Sequence, residues 1–147
     1  MNTNKLLIII VIILAVIITI LTGFLFLPTE EIKAPTVPTL MGIEIFSPKA
    51  NEIISSPINI SGLVNGNGWF GFEGQVGVVK LKDDNGKELA LGILTAQGEW
   101  MQKVVNFKTN IKFSNPATST GTLVFYNENP SGDPDKDKTF VLPVRFK

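Results

Sequence analysis

Between Gly42 and Lys147 the apolar residues recur at every second position, in short runs cut by turn residues. Ile58 and Ile60 alternate with Asn59 and Ser61. Leu89, Leu91 and Ile93 share one parity, and Val105 and Phe107 another. Leu123 and Phe125 alternate with Val124 and Tyr126; Phe140, Leu142, Val144 and Phe146 alternate with Val141, Pro143, Arg145 and Lys147. A period of two sends neighbouring side chains to opposite faces, so each run reads as a strand with one buried face. Ser47-Pro48, Asn65-Gly66-Asn67-Gly68, Asp84-Asn85-Gly86, Gly98, Asn115-Pro116 and Asn129-Pro130-Ser131-Gly132 supply the punctuation. The pattern predicts strands near 42–47, 57–64, 73–82, 87–95, 101–108, 120–127 and 139–146. Seven short strands without a helical stretch make an all-β chain of the immunoglobulin-like β-sandwich class.

Three local features sharpen this reading. Asn85-Gly86 lies between Val79/Leu81 and Leu89/Leu91, the composition of a two-residue hairpin turn. The apolar parity changes between Val78 and Val79, which predicts a bulge beside Gly77. Pro143 has no N–H, so the last strand lies at an edge or its proline points where no partner needs a donor. The chain has no cysteine, so the domain holds by packing alone. Trp69, Phe70, Phe72, Trp100, Phe107, Phe125 and Phe140 are the bulky residues available for that core.

The first 41 residues follow a different pattern. Leu6 to Leu27 are 22 residues without a charge, 19 of them aliphatic or aromatic. As a helix this run is about 33 Å long, enough to cross the hydrocarbon of a bilayer. It exceeds the apolar region of a cleaved signal peptide, and Phe24-Leu25-Phe26-Leu27-Pro28 lacks the small residues of a cleavage site. A soluble core helix would not be apolar all round. The expectation is a retained transmembrane helix over 6–27. Lys5 and the amino terminus make 1–5 the cytoplasmic tail, and the domain is extracytoplasmic. Residues 28–41, with Pro28, Pro35 and Pro38, read as a spacer reaching up to about 40 Å from the membrane. The domains expected are thus tail 1–5, span 6–27, spacer 28–41 and immunoglobulin-like domain 42–147.

Composition removes whole classes of function. Without histidine there is no Ser-His-Asp triad and no histidine metal ligand. Without cysteine there is no thiol nucleophile and no cysteine zinc site. Thirteen basic residues balance thirteen acidic ones, which argues against a nucleic-acid partner.

Several segments resemble one known family. They are Ser56-Pro57-Ile58-Asn59-Ile60-Ser61-Gly62, then Trp69-Phe70-Gly71-Phe72-Glu73-Gly74, the hairpin tip Asp83-Asp84-Asn85-Gly86-Lys87, the corner Gly98-Glu99-Trp100-Met101, and Asn129-Pro130-Ser131-Gly132-Asp133-Pro134. In this order and spacing they resemble the immunoglobulin-like domain of bacterial spore germination proteins, a family associated with the GerMN module. The resemblance covers about 42–147. It implies a bacterial envelope β-sandwich that binds or assembles, with no catalytic residues and no cofactor.

Three constellations invite a functional reading. Glu73 and Glu99 stand beside aromatics, as the acids of a glycan hydrolase do, but a small sandwich without cleft-forming insertions rarely hosts catalysis, and the alternative is two solvated strand-end residues next to core aromatics. Asp133, Asp135 and Asp137 alternate like the opening of a calcium loop. Lys138 stands where that loop needs glycine and Val144 where it needs glutamate, so the expectation is no metal and a solvated acidic loop. Trp69, Phe70, Phe72 and Trp100 remain as candidate binding residues, a stacking platform for a cell-wall glycan or a contact for an envelope protein. The alternative role for these four is core packing. The function expected is a membrane-anchored, non-catalytic binding or assembly module; the alternatives are a structural spacer without a ligand and an envelope glycan hydrolase.

Overall fold

The computed structural model describes residues 12–15, 17, 42–114 and 116–147. The chain divides into two units, Met1–Val37 and Pro38–Lys147. In the first, residues 12–15 and 17 are helical. The rest of the expected span over 6–27, the tail and the spacer lie outside the described residues. Among the described residues no helix is long and apolar enough to cross a membrane.

The second unit is all-β. Its strands are β1 (Gly42–Ser47), β2 (Ile53–Ile54), β3 (Ile58–Asn65), β4 (Gln75–Asp83), β5 (Glu88–Ala96), β6 (Val105–Ile111), β7 (Thr120–Asn127) and β8 (Thr139–Phe146). They form one sheet in the order β1-β3-β6-β5-β4-β7-β8-β2, antiparallel except for the parallel pair β2–β8. The two layers of the expected sandwich are therefore one curled sheet. The seam lies between β5 and β6, joined at Thr95–Lys108 and Ala96–Phe107, whereas β3 and β6 pair from Ile58–Ile111 to Val64–Val105. The curl brings Ile45, Ile60 and Phe107 into the same core as Val79, Leu94, Leu123, Phe125, Leu142 and Val144.

Local chemistry explains the strand ends and kinks. At the β4–β5 hairpin the Gly86 N–H donates to the Asp83 carbonyl at 2.9 Å. The buried Asp83 carboxylate accepts from the N–H groups of Asn85 and Lys87, at 3.0 and 2.9 Å. The side chain thus satisfies the donors that a tight turn leaves free. In β4 the register shifts between Gln75 and Val78, where the parity change predicted a bulge. Gly77 adopts φ of 140°, and a Cβ there would run into the Tyr126 carbonyl oxygen. The bulge lets Val76 and Val79 both face the core.

Pro143 sits inside the sheet, between β7 and the residues just before β2. Its carbonyl accepts from Asn51 N at 2.7 Å, and in a strand the N and C=O of one residue point the same way. The missing N–H therefore points away from β7, and pairing with β7 is intact at Thr122–Pro143.

Two expectations are corrected. The fifth predicted strand, 101–108, is β6 at Val105–Ile111, because residues 101–103 are an exposed turn. In β5 the parity is inverted: Gly92 and Leu94 face inward, while Leu91 and Ile93 are 51% and 52% exposed. A Cβ at Gly92 would collide with the Ile111 side chain, so β6 crosses this strand where only glycine leaves room. The pair β2, unforeseen in the sequence, is too short to show a period; it buries Ile54 and exposes Ile53.

The inversion gives the outer face of β5-β4-β7-β8 an unusual character. One row across it reads Ile93, Val78, Tyr126 and Thr139; the next reads Leu91, Lys80, Val124 and Val141. The Lys80 ammonium turns out of the row to meet Glu88 at 3.0 Å.

Phe107 and Phe125 are fully buried on opposite sides of the seam. Phe107→Ala or Phe125→Ala should each lower stability by about 3–5 kcal/mol in denaturant titration, with reductant having no effect.

Candidate functional site

The four candidate aromatics divide by the geometry of one loop. After β3 the chain turns back on itself: Trp69 N donates to the Gly66 carbonyl at 2.9 Å, with Asn67 at φ of 52°. This turns the Trp69 indole inward, to 5% exposure, where it joins the core cluster. The next residue points the other way, and Phe70 is 43% exposed. Phe72 and Trp100 are half-buried and pack edge to face, centroids 6.1 Å apart at 68°. Gly71 lies against the Trp100 carbonyl, so the 69–75 loop and the 98–101 corner are clasped together. Trp69 is a core residue; Phe72 and Trp100 brace the loop; Phe70 alone of the four meets solvent with much of its ring.

Phe70 lines a cavity of about 280 Å³. Gly68 and Asn127 to Ser131 form part of its wall, with Asp135, Lys136 and Lys138 on the far side. The wall is held by two asparagines. Asn127 Nδ2 donates to the carbonyls of Gly68 and Lys136 at 2.9 and 3.0 Å, and its Oδ1 accepts from Lys138 N at 2.8 Å. Asn129 Nδ2 donates to the Asp133 carbonyl and to Asp137 Oδ1, at 2.8 and 2.7 Å, and Ser131 Oγ donates to its Oδ1 at 2.7 Å. These amides are spent on the scaffold. A ligand would meet Phe70, Pro130, the Glu128 carboxylate and the lysines.

The alternating acids are likewise committed to the loop. Asp133 caps a short 3₁₀ turn at Pro134–Lys136, its Oδ1 accepting from Asp135 N at 3.2 Å, and Lys136 Nζ lies 3.7 Å from Oδ2. Asp137 accepts from Asn129. Among the described residues no three acids converge on a point that could hold a metal ion.

Glu128 is the residue that strand patterning did not single out for this site. Partial burial in the cavity wall, and then the charge of Glu73, push its carboxyl above the ordinary 4.5. Glu73 thus acts on Glu128, a neighbour brought by folding; Glu99 is exposed on the corner beside Trp100.

The model of one family, the immunoglobulin-like domain of bacterial spore germination, matches residues 42–133. The chain belongs to that family. The match runs from β1 through β7 into the cavity loop, and β8 completes the germination-type sheet beyond it. Comparison with curated proteins and with solved structures gives no match. An immunoglobulin-like domain of this family is a binding or structural module, and the cavity beside Phe70 is a concave surface of this germination-type domain that combines an exposed aromatic ring with charged groups.

A carboxyl whose folded pKa is raised favours the folded state when protonated. Its contribution is largest below about pH 4.5 and is lost as pH rises through the elevated value. Glu128→Gln should therefore raise the melting temperature at pH 7 by about 1–2 °C, since a partly exposed group is still screened by solvent, and the difference should vanish near pH 4.

Proposed function

We propose that the chain is a non-catalytic binding module of the bacterial cell envelope, held by a transmembrane helix over residues 6–27, with the immunoglobulin-like domain outside the cytoplasm. The observation that carries the binding role is Phe70, exposed at the edge of a braced cavity while its neighbour Trp69 is buried. A cell-wall glycan suits that edge. One face of a sugar ring is C–H rich and stacks on an aromatic ring, while its hydroxyls pair with charged groups such as Glu128, Lys136 and Lys138. The bracing of the loop by Phe72–Trp100 and Asn127 supports a preformed site, which limits the ordering cost of binding.

Support for the anchor is the 22-residue uncharged run and the exposure of its described part. Ile12, Ile13, Leu14 and Ile17 are helical and each more than half exposed, spread around much of the helix. Such a surface suits lipid better than a protein core.

Phe70→Ala should weaken binding of the full chain to purified cell-wall sacculi about tenfold with the melting temperature unchanged. Unchanged binding, or no binding by the native chain, would favour an envelope protein as ligand or a spacer role. For topology, protease added to intact cells should cut within residues 30–33. Full protection there, with a cytoplasmic reporter active at the carboxy terminus, would reverse the orientation.

A further inference from the structure

We infer that Asn67 is a site of spontaneous covalent modification: its side-chain amide is displaced by the backbone nitrogen of Gly68, and a carboxylate is left at the lip of the Phe70 cavity. The turn at Asn67 carries this by itself, whatever the cavity binds.

An asparagine followed by glycine can close on its own backbone, since glycine has no side chain to shield its nitrogen. The Gly68 nitrogen gives its proton to water and attacks Asn67 Cγ. The N–Cγ bond forms, the Cγ–Nδ2 bond breaks, and ammonia leaves with a proton from water. The product is a cyclic succinimide. Water then adds to one of its carbonyls. Opening at the former side-chain carbonyl gives aspartate; opening at the main-chain carbonyl gives isoaspartate, in which the backbone runs through the former side chain. Water is the reactant consumed, ammonia is released, and a neutral amide becomes a carboxylate.

The chain holds three such pairs, Asn65-Gly66, Asn67-Gly68 and Asn85-Gly86. As dipeptides they are alike, and the fold separates them. Asn65 is 2% exposed and its Oδ1 has no hydrogen-bond partner among the described residues, so the water that must open the ring is kept out. Asn85 is exposed, but the nitrogen that would attack it is engaged: Gly86 N donates to the Asp83 carbonyl at 2.9 Å. The Asp83 carboxylate, which accepts from Asn85 N and Lys87 N, also sets a negative charge beside the group that must lose its proton. Asn67 is free of both restraints. It is exposed, and among the described residues neither its side chain nor Gly68 N makes a hydrogen bond.

Lys138 supplies the opposite charge. A Cβ placed on Gly68 would stand 2.9 Å from Lys138 Cε, so the lysine stem lies across this glycine, with the ammonium one bond beyond. Among the described residues Lys138 has no ion-pair partner. A positive charge there favours the deprotonated nitrogen and the oxyanion of the addition step.

Both products alter the cavity lip. Gly68 and Lys138 line the cavity, so the new carboxylate lies beside a lysine of its wall. Isoaspartate also adds a backbone carbon to a turn closed by Trp69 N on the Gly66 carbonyl and tied at the Gly68 carbonyl by Asn127 Nδ2. Trp69 and Phe70 follow at once, so the extra carbon is taken up where the chain passes from core to cavity.

The three asparagines are compared within one molecule. The full-length chain in mild detergent is held at mildly alkaline pH and digested, and each Asn-Gly peptide is followed by mass spectrometry for amide loss and isoaspartate. In the folded chain Asn67 should convert about tenfold faster than Asn85, as expected when one attacking nitrogen is free and the other hydrogen-bonded. Asn65 should stay intact. In urea the three rates should draw together, because the contacts that separate them are gone. Asn85 matching or outpacing Asn67 in the folded chain would overturn the proposal. The same ranking and spread in urea would also overturn it, by placing the difference in the sequence rather than in the fold. Lys138→Gln removes the charge and keeps a polar stem; it should slow Asn67 about threefold, in the folded chain alone. An unchanged rate with an unchanged melting temperature would overturn the part given to Lys138.

Discussion

The domain depends on the curl at the β5–β6 seam. Without it, the inward faces of β1-β3-β6 and of β5-β4-β7-β8 would be two half-covered surfaces. With it they close on each other, and Phe107 and Phe125 become fully buried. Because the chain contains no disulfide, this burial is the main stabilising term against the entropy of ordering the strands. Gly92 makes the seam possible: the β6 residues Thr109 and Ile111 come so close that no side chain fits there.

That geometry reaches the candidate site by two routes, the hydrogen bonds of Asn127 and the packing of Trp69. Asn127 ends β7 and ties the 66–69 turn to the 136–138 segment. The core holds Trp69, and Trp69 fixes the direction of Phe70. A change in the core beneath Trp69 would therefore be felt at the cavity, although no cavity residue is part of the core cluster.

The two surfaces of interest lie on different parts of the fold and use different chemistry. The cavity mixes one aromatic ring with charges and a preformed loop. The outer face of β5-β4-β7-β8 exposes the aliphatic Leu91, Ile93 and Val141, with Lys80 between them paired to Glu88.

Much of the fold was legible in the residues, because period and turn chemistry act locally. Six of the seven expected strands lie within a few residues of observed ones, and the Gly77 bulge and the Asn85-Gly86 hairpin appear where the parity change and turn composition placed them. The position of Pro143 satisfied the second of its two local options. Only tertiary structure decided which side of β5 is buried, because Leu89, Leu91 and Ile93 oppose Ala90, Gly92 and Leu94, and both sets are apolar. Size favoured Leu91 and Ile93, and the close crossing of β6 turned them outward, while Leu89 still packs against the core. The same holds for the aromatics. Trp69, Phe70, Phe72 and Trp100 are equivalent in composition, and a single turn at Gly66–Trp69 sends one to the core and the next to the cavity. Glu128 gains its neighbour Glu73 from across 55 residues of chain, a proximity that no local pattern encodes. What a residue alternates with is written in its near neighbours; what it faces is set by strands that meet only when the sheet curls.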